Sequence, residues 1–547
     1  MRREAKGRRH FVKSSLALLA GSRLAGAQKS KLGGLSVESA VPGPFHPYWE
    51  SLKQYNCPEW FRDAKFGMWA HWSPQCVPEQ GDWYARNMYM QGSRQYNYHA
   101  AHYGHPSKFG YKDICHIWKA ENWDPERLIQ LYKSVGAKYF VALGNHHDNF
   151  DCWDSKYQPW NSVNIGPKKD IVGTWARTAR KHGLRFGVTF HATPGRTWGE
   201  FMPVKYCSDQ TGPLKGVPYD GNLTNADGKG QWWEGFDIRS LYGPPHKQDD
   251  PCPEYTRTCM LRVQDLIDKY DPDLLYFDDS GQMVHDVAPN IQLDAWLGIP
   301  DLAPQIAAYY YNSNMQSHGG KLEAVLNIKD VPEPLKGALV EDHEMSRSDR
   351  LTPHVWQTDA CIGGWHYMRG IKYRTAATII PMLVDIVSKN GNLLLNIPVR
   401  GDGTIDDDEM KFLGEMAKWM GLNGEALFGT RPWKVFGEGP TQIGEASLYQ
   451  GKPRPYLPED IRFTAKGDTL YAIALGWPDN GNMIIKSLAS NSPYYQGEVA
   501  SIELMGAGPA PKWRRDEAGL TIDLPAQRPC DLAYVFKIKP LHAWETQ

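Results

Sequence analysis

The strongest constraint on this chain is a recurring unit: amphipathic helix, tight turn, short apolar strand, then polar residues. Residues 255–270 carry apolar side chains at Met260, Val263, Leu266, Ile267 and Tyr270, the spacing of one helix face. Asp271-Pro272 ends that helix. LLYF (274–277) then reads as a buried strand running into Asp278 and Asp279. The unit returns at 127–135 with 139–143, at 171–181 with 184–190, and at 306–316 with 322–327. Such alternation predicts parallel βαβ units, and at this length an α/β fold with a (β/α)8-like barrel. An open doubly wound sheet is the competing topology, but no glycine-rich phosphate loop follows any strand.

The character changes after Gly429. DIRFTAKGDTLYAIALG (460–476) reads as a hairpin, and alternating runs follow at 501–505, 519–524 and 532–538. These predict a C-terminal antiparallel β-sandwich over 429–547, behind a catalytic barrel over 45–428. Residues 28–44 read as a linker. Residues 1–27 read as a twin-arginine-type signal peptide: Arg8-Arg9, a short apolar run, then Ala25-Gly26-Ala27. Export of an already folded protein to the periplasm or beyond suits nine cysteines, an odd number with no CxxC pair. No stretch is long and apolar enough for a membrane span. Charge is balanced, with 61 basic and 62 acidic residues, which argues against a nucleic-acid partner. The 21 tryptophans lean towards a carbohydrate ligand, since indole faces stack on sugar rings. Nothing fixes the oligomeric state.

In a β/α barrel the C-terminal strand ends carry the chemistry. Asp278 stands at one such end; the bland alternative is a turn or helix cap. His71 follows a short strand, with Asp82 and Trp83 in the next loop. His146, His147 and Asp148 follow the strand at 139–143, and His191 follows 184–190. Polar groups from several strands therefore converge on one mouth. A metal is the rival explanation for the histidines. Adjacent His146 and His147 would face opposite ways in an extended strand, and no HExxH pattern occurs, so no metal or other cofactor is expected. The acidic run 402–409 suits a turn and helix start rather than a calcium loop.

FRDAKFGMWAHW, GDWYARNMY, GAKYFVALGNHHDNFDCWDSKY, GPKKDIVG, PDLLYFDD, SKNGNLLLNIP and GEALFGTRPW occur in that order between Trp60 and Trp433. Together they resemble glycoside hydrolase family 29, the α-L-fucosidases. The resemblance implies a retaining exo-glycosidase on a β/α barrel, acting on a fucosylated oligosaccharide or glycoconjugate. Asp278 matches the family's nucleophile, and His71, His146 and His147 its sugar-hydroxyl ligands. Trp83 matches a pocket wall, Asp82 stands where many members have Glu, and Tyr276 where an aromatic often precedes the nucleophile. His191 and Trp356 complete the expected substrate-binding set.

The acid/base departs from the pattern. Gln357 occupies the position where many members carry Glu, and an amide donates no catalytic proton. Asp342 and Glu344 lie two apart after a strand expected at 337–340, which would put Glu344 at the mouth. Some family members that share WQTD carry an Asp-x-Glu-Arg-like segment here, so the resemblance favours Glu344, with Asp359, Asp342 and Glu341 as the other candidates. Retention needs a carboxylate nucleophile and a second carboxyl about 5–5.5 Å away. Two other functions remain open at this level. One is a catalytically impaired fucose-binding homologue. The other is a related glycosidase acting on a galactoside or sulfated fucan, with any altered specificity carried by the long excursion at 197–255, which resembles a lid or wall.

Overall fold

The computed structural model describes residues 41–541 apart from 249, 251, 279–301, 330 and 442–454. The signal-peptide reading, most of the linker and Asp279 lie outside the described residues.

Eight parallel strands close into a barrel in sequence order: β1 (Phe66–Ala70), β2 (Tyr139–Asn145), β3 (Arg185–Phe190), β4 (Leu274–Phe277), β5 (Val325–Lys329), β6 (Val340–Asp342), β7 (Trp356–Cys361) and β8 (Gly391–Asn396). β8 returns to pair with β1, so the sheet has no edge. Nearly every strand residue is buried on both faces, which explains continuous apolar runs rather than alternation. Helices Pro125–Ser134, Ile171–Lys181, Pro253–Tyr270 and Leu302–Ser317 occupy the crossovers expected from periodicity. Each of the first two begins on an aspartate, Asp124 or Asp170, that accepts a backbone N–H in the first turn.

The acidic run resolves as a helix start: Asp406 and Glu409 form a reciprocal capping box on helix Asp407–Asn423. Beyond it lie a five-stranded antiparallel sheet and a three-stranded one. The first contains β9 (Arg431–Glu438), β10 (Ile461–Lys466), β11 (Thr469–Ala474), β13 (Val499–Leu504) and β16 (Tyr534–Pro540). The second contains β12 (Asn482–Ile485), β14 (Trp513–Asp516) and β15 (Gly519–Asp523). A common apolar core, with Trp433, Phe463, Ile485 and Phe536 among its members, fills the space between them. All nine cysteines are free thiols, including Cys252 and Cys259. No helix among the described residues is long and apolar enough to cross a membrane.

Candidate active site

At the C-terminal end of the barrel lies a cavity of about 590 Å³. His71, Asp82, Trp83, His146, His147, Asp278 and Glu344 all line it, as do Asp359, Trp69 and Trp365. The placement follows strand alternation. Leu274 and Tyr276 share the inward face of β4, and Asp278, two further on, rises above Tyr276 into the cavity. Asp342 and Glu344 repeat the pattern on β6: Asp342 is buried below, and Glu344 stands in the turn above.

Asp278 is tightly held. Its Oδ2 lies 3.3 Å from His147 Nε2 and 3.3 Å from His191 Nδ1, while its Oδ1 accepts from the Lys329 ammonium. Burial alone would raise this carboxyl, but Lys329 and the two histidines overcome it and hold Asp278 well below the usual carboxylate range. Lys329 also donates to Glu344 Oε2 at 2.6 Å. One ammonium bridging both carboxylates keeps their nearest oxygens within two hydrogen-bond lengths. Burial would lower Lys329, yet Asp278 and Glu344 hold it well above the usual lysine range.

Beneath them sits a second acidic pair. The Tyr276 hydroxyl lies 3.2 Å from Asp342 and 3.0 Å from Asp359. Burial raises both carboxyls, and their mutual repulsion adds to it at Asp359, so the pair keeps a proton. Gln357 belongs to this lower layer. Its amide donates to Asp342 at 2.9 Å and accepts from the Tyr139 hydroxyl at 2.9 Å. It is part of the barrel filling, so its neutrality removes no proton donor from the cavity.

The histidines are fixed by neighbours. Gln75 donates to His146 Nδ1 at 2.9 Å, and its own carbonyl is held by the Ala85 N–H, so the second His146 nitrogen carries the proton of the neutral ring. His147 Nδ1 donates to the His191 carbonyl at 2.8 Å. Asn145 accepts from the backbone of His191 and Ala192 and donates to Asp151, which is gripped by buried Arg262. Both ring nitrogens of His71 are buried without a hydrogen-bond partner among the described residues, and His71 lies in the cavity wall. Burial lowers His71 and His146 well below the ordinary imidazole value, leaving neutral rings suited to sugar hydroxyls.

Several expectations need correction. His146 and His147 do not face opposite ways: β2 stops at Asn145, and their rings meet with centroids 4.3 Å apart on the same cavity wall. Among the described residues, His71, Asp82, His146 and His366 have ligand atoms mutually within 4.8 Å, as do His146, His147 and His191. An ion is therefore sterically possible there, in competition with the existing hydrogen bonds. His191 lies behind Asp278, bonded to Thr189, and Tyr276 lies below it; neither lines the cavity. Trp356 points out of the barrel, since Gln357 and Asp359 point in; its indole donates to the Lys389 carbonyl. Glu341 likewise faces a separate outer cavity with Lys336 and His343.

Sequence reasoning missed Lys329, His366 and Arg196. His366 bonds Asp82 at 2.5 Å and Ser73 at 2.9 Å. Arg196 lies over the Trp83 ring and reaches the cavity from segment Pro194–Phe201, where the excursion begins. Phe201, from the same segment, packs 5.0 Å from Trp83. From within the excursion Phe201 packs behind Trp83, while Arg196, which lines the cavity, directly precedes it. Inward alternation along β5 (Val325, Asn327, Lys329) would have exposed Lys329; nothing periodic marks the other two. Trp83 itself is held in the left-handed region at φ 62° and ψ 17°.

A model of the α-L-fucosidase family matches residues 35–425, and one of the α-L-fucosidase C-terminal domain matches residues 455–539. Tissue α-L-fucosidase of Homo sapiens is 27% identical over 511 residues, covering 91% of this chain and 92% of its own. The α-L-fucosidase of Branchiostoma floridae is 25% identical, covering 92% and 98%. A Thermotoga maritima α-fucosidase solved in complex with fucose is 26% identical with a TM-score of 0.65, covering 90% of this chain and 99% of that one. The matched span takes in every barrel strand and the cavity at their ends, and on it this chain belongs to the α-L-fucosidase family of glycosidases.

Proposed function

We propose that this chain is a retaining exo-α-L-fucosidase, with Asp278 as nucleophile and Glu344 as acid/base. The observation that carries the reading is the Lys329 bridge between an ionised Asp278 and a second carboxyl group across one cavity. Asp278 attacks the anomeric carbon while Glu344 gives its proton to the departing oxygen, leaving a fucosyl ester on Asp278. The Glu344 carboxylate then takes a proton from water, which attacks the same carbon and releases Asp278. Each half-reaction consumes one carboxylate and creates the other, so Lys329 faces one negative charge throughout. His71, His146 and the Asp82–His366 pair supply partners for the ring hydroxyls, and Trp69, Trp83 and Trp365 give the apolar wall a 6-deoxy sugar needs.

The test is proton NMR of aryl α-L-fucoside hydrolysis. The first-formed sugar should be the α-anomer; first-formed β-fucose would refute retention. Glu344→Gln should cost about 10²–10⁴ in kcat/KM on a fucosyl disaccharide but little on an activated aryl fucoside. An impaired homologue is disfavoured because an acid does stand opposite Asp278. Arg196 favours a variant of the reading in which the glycan is a sulfated fucan, whose anionic group a guanidinium would bind. We also propose twin-arginine export, tested by the N-terminal mass of the mature protein.

A further inference from the structure

Glu344 lies in the turn after β6, and that turn is gripped at three points. The His343 and Met345 N–H groups donate to the Gln357 and Asp359 carbonyls of β7, at 2.8 and 2.9 Å. The Thr358 hydroxyl donates to the Ser346 carbonyl at 2.8 Å. The third grip comes from outside the barrel. Lys389 donates to the Ser348 carbonyl at 3.0 Å, and Arg347 lies 3.5 Å from Asp385. Asp385, on helix Ala376–Ser388, also accepts from Lys389 at 2.9 Å and from Arg462 Nε at 2.6 Å. Arg462 belongs to β10, in the C-terminal sheet. Asp385, Arg347, Lys389 and Arg462 are all buried.

A buried carboxylate shared by three cations is a demanding arrangement, because each partner limits where the others can sit. Burial would raise Asp385, but Arg462, then Lys389, then Arg347 hold it below the ordinary carboxylate value. The rings of Phe436 and Tyr456 pack on the Arg462 guanidinium at 5.5 and 5.7 Å. Phe436 is on β9, so the C-terminal sheet supplies both the cation and part of its surroundings. The path from Arg462 to Glu344 is contiguous: Arg462, Asp385, Arg347 with Ser348, then the turn.

We infer that Arg462 is a positioning residue for proton transfer, through which the C-terminal sheet sets the placement of Glu344. This rests on Glu344 being the acid/base. Among the described residues, the partners of Asp278 are His147 and His191, just past the ends of β2 and β3, and Lys329 of β5. Among the described residues, the buried charges that lead in from the sandwich end at the Glu344 turn. Loss of Arg462 should therefore harm the leaving-group half of the chemistry and spare nucleophilic attack. Misplacement of a catalytic group by about 1 Å costs on the order of 10²-fold.

The experiment compares kcat/KM on a fucosyl disaccharide and on an activated aryl fucoside for full-length Arg462→Met, Arg462→Lys, Arg347→Lys and Glu344→Gln. Arg462→Met should lose about 10–100-fold on the disaccharide and less than about 3-fold on the aryl fucoside, with Arg462→Lys recovering part of the loss. Equal losses on both substrates, or none on either, overturn the inference. Should Arg462→Met fail to fold, Arg462→Lys and Arg347→Lys read the same split at smaller amplitude, and its absence in both overturns it. Absence of the split in Glu344→Gln refutes the acid/base assignment instead, so the two failures are told apart.

Discussion

Replacing Lys329 with methionine removes the ammonium that Asp278 and Glu344 share while keeping a side chain of similar length. Asp278 retains His147 and His191 at 3.3 Å but loses its strongest electrostatic partner. Stripping one member from a buried ion pair typically costs about 3–5 kcal/mol. With the ammonium gone, burial is less opposed and the Asp278 carboxyl moves upward. The sign follows from the wild type. Asp278 is depressed there, so it stays ionised well into acid, and its loss of activity lies below the ordinary carboxylate range. In Lys329→Met burial dominates, the carboxyl rises, and activity falls as pH drops through the new, higher value. The assay is kcat/KM for an activated aryl α-L-fucoside from about pH 3 to about pH 8, which reports the free enzyme. Lys329→Arg keeps the charge and should keep the acid limb near its original place. An acid limb in Lys329→Met that coincides with the wild type would refute the electrostatic argument.

Asp278→Ala should lose at least about 10³-fold in turnover, and added azide should restore part of it by attacking the anomeric carbon of an aryl fucoside directly; near-wild-type turnover would remove Asp278 from the mechanism. Asp359→Asn replaces one carboxyl of a pair that burial and mutual repulsion push upward, so the thermal midpoint should move by only a few degrees, and the disaccharide and aryl rates should change together. A selective loss on the disaccharide would make Asp359 the acid instead. Arg196→Ala should raise KM for a sulfated fucoside by about tenfold or more while changing the neutral fucoside far less; equal effects on both would leave Arg196 as a wall residue only.

Much of the barrel was legible because each βα unit is a local pattern. Helix Ile171–Lys181 needs only its own apolar stripe and the Asp170 cap to be read. β7 was harder, since WQTDAC carries polar residues on its inward face, where Gln357 fills the barrel and Asp359 reaches the cavity floor. The same alternation explains the misplaced residues. Trp356 and Glu341 each sit one residue from an inward-facing neighbour and so point away. Tyr276 and Asp342 sit two residues below a cavity group and so lie beneath it. Asp278 and Glu344 were accessible because strand ends and sequence separation locate them. Lys329 and His366 act through partners far away in sequence, and no local pattern signals a partner across the barrel.

Three of the ten described non-glycine residues with positive φ adjoin this cavity. Trp83, Asn149 and Met345 all have positive φ, at 62°, 69° and 46°, without being glycine. Each adjoins working parts: Trp83 follows Asp82, Asn149 follows the His146–Asp148 run, and Met345 follows Glu344. A left-handed conformation costs a bulky residue on the order of 1–2 kcal/mol relative to glycine. Attempts to thermostabilise the enzyme by relaxing such positions would find their easiest gains here, and would lose the indole wall or the aim of Glu344 in the process. These three positions therefore mark places where selection for durability and selection for turnover pull in opposite directions.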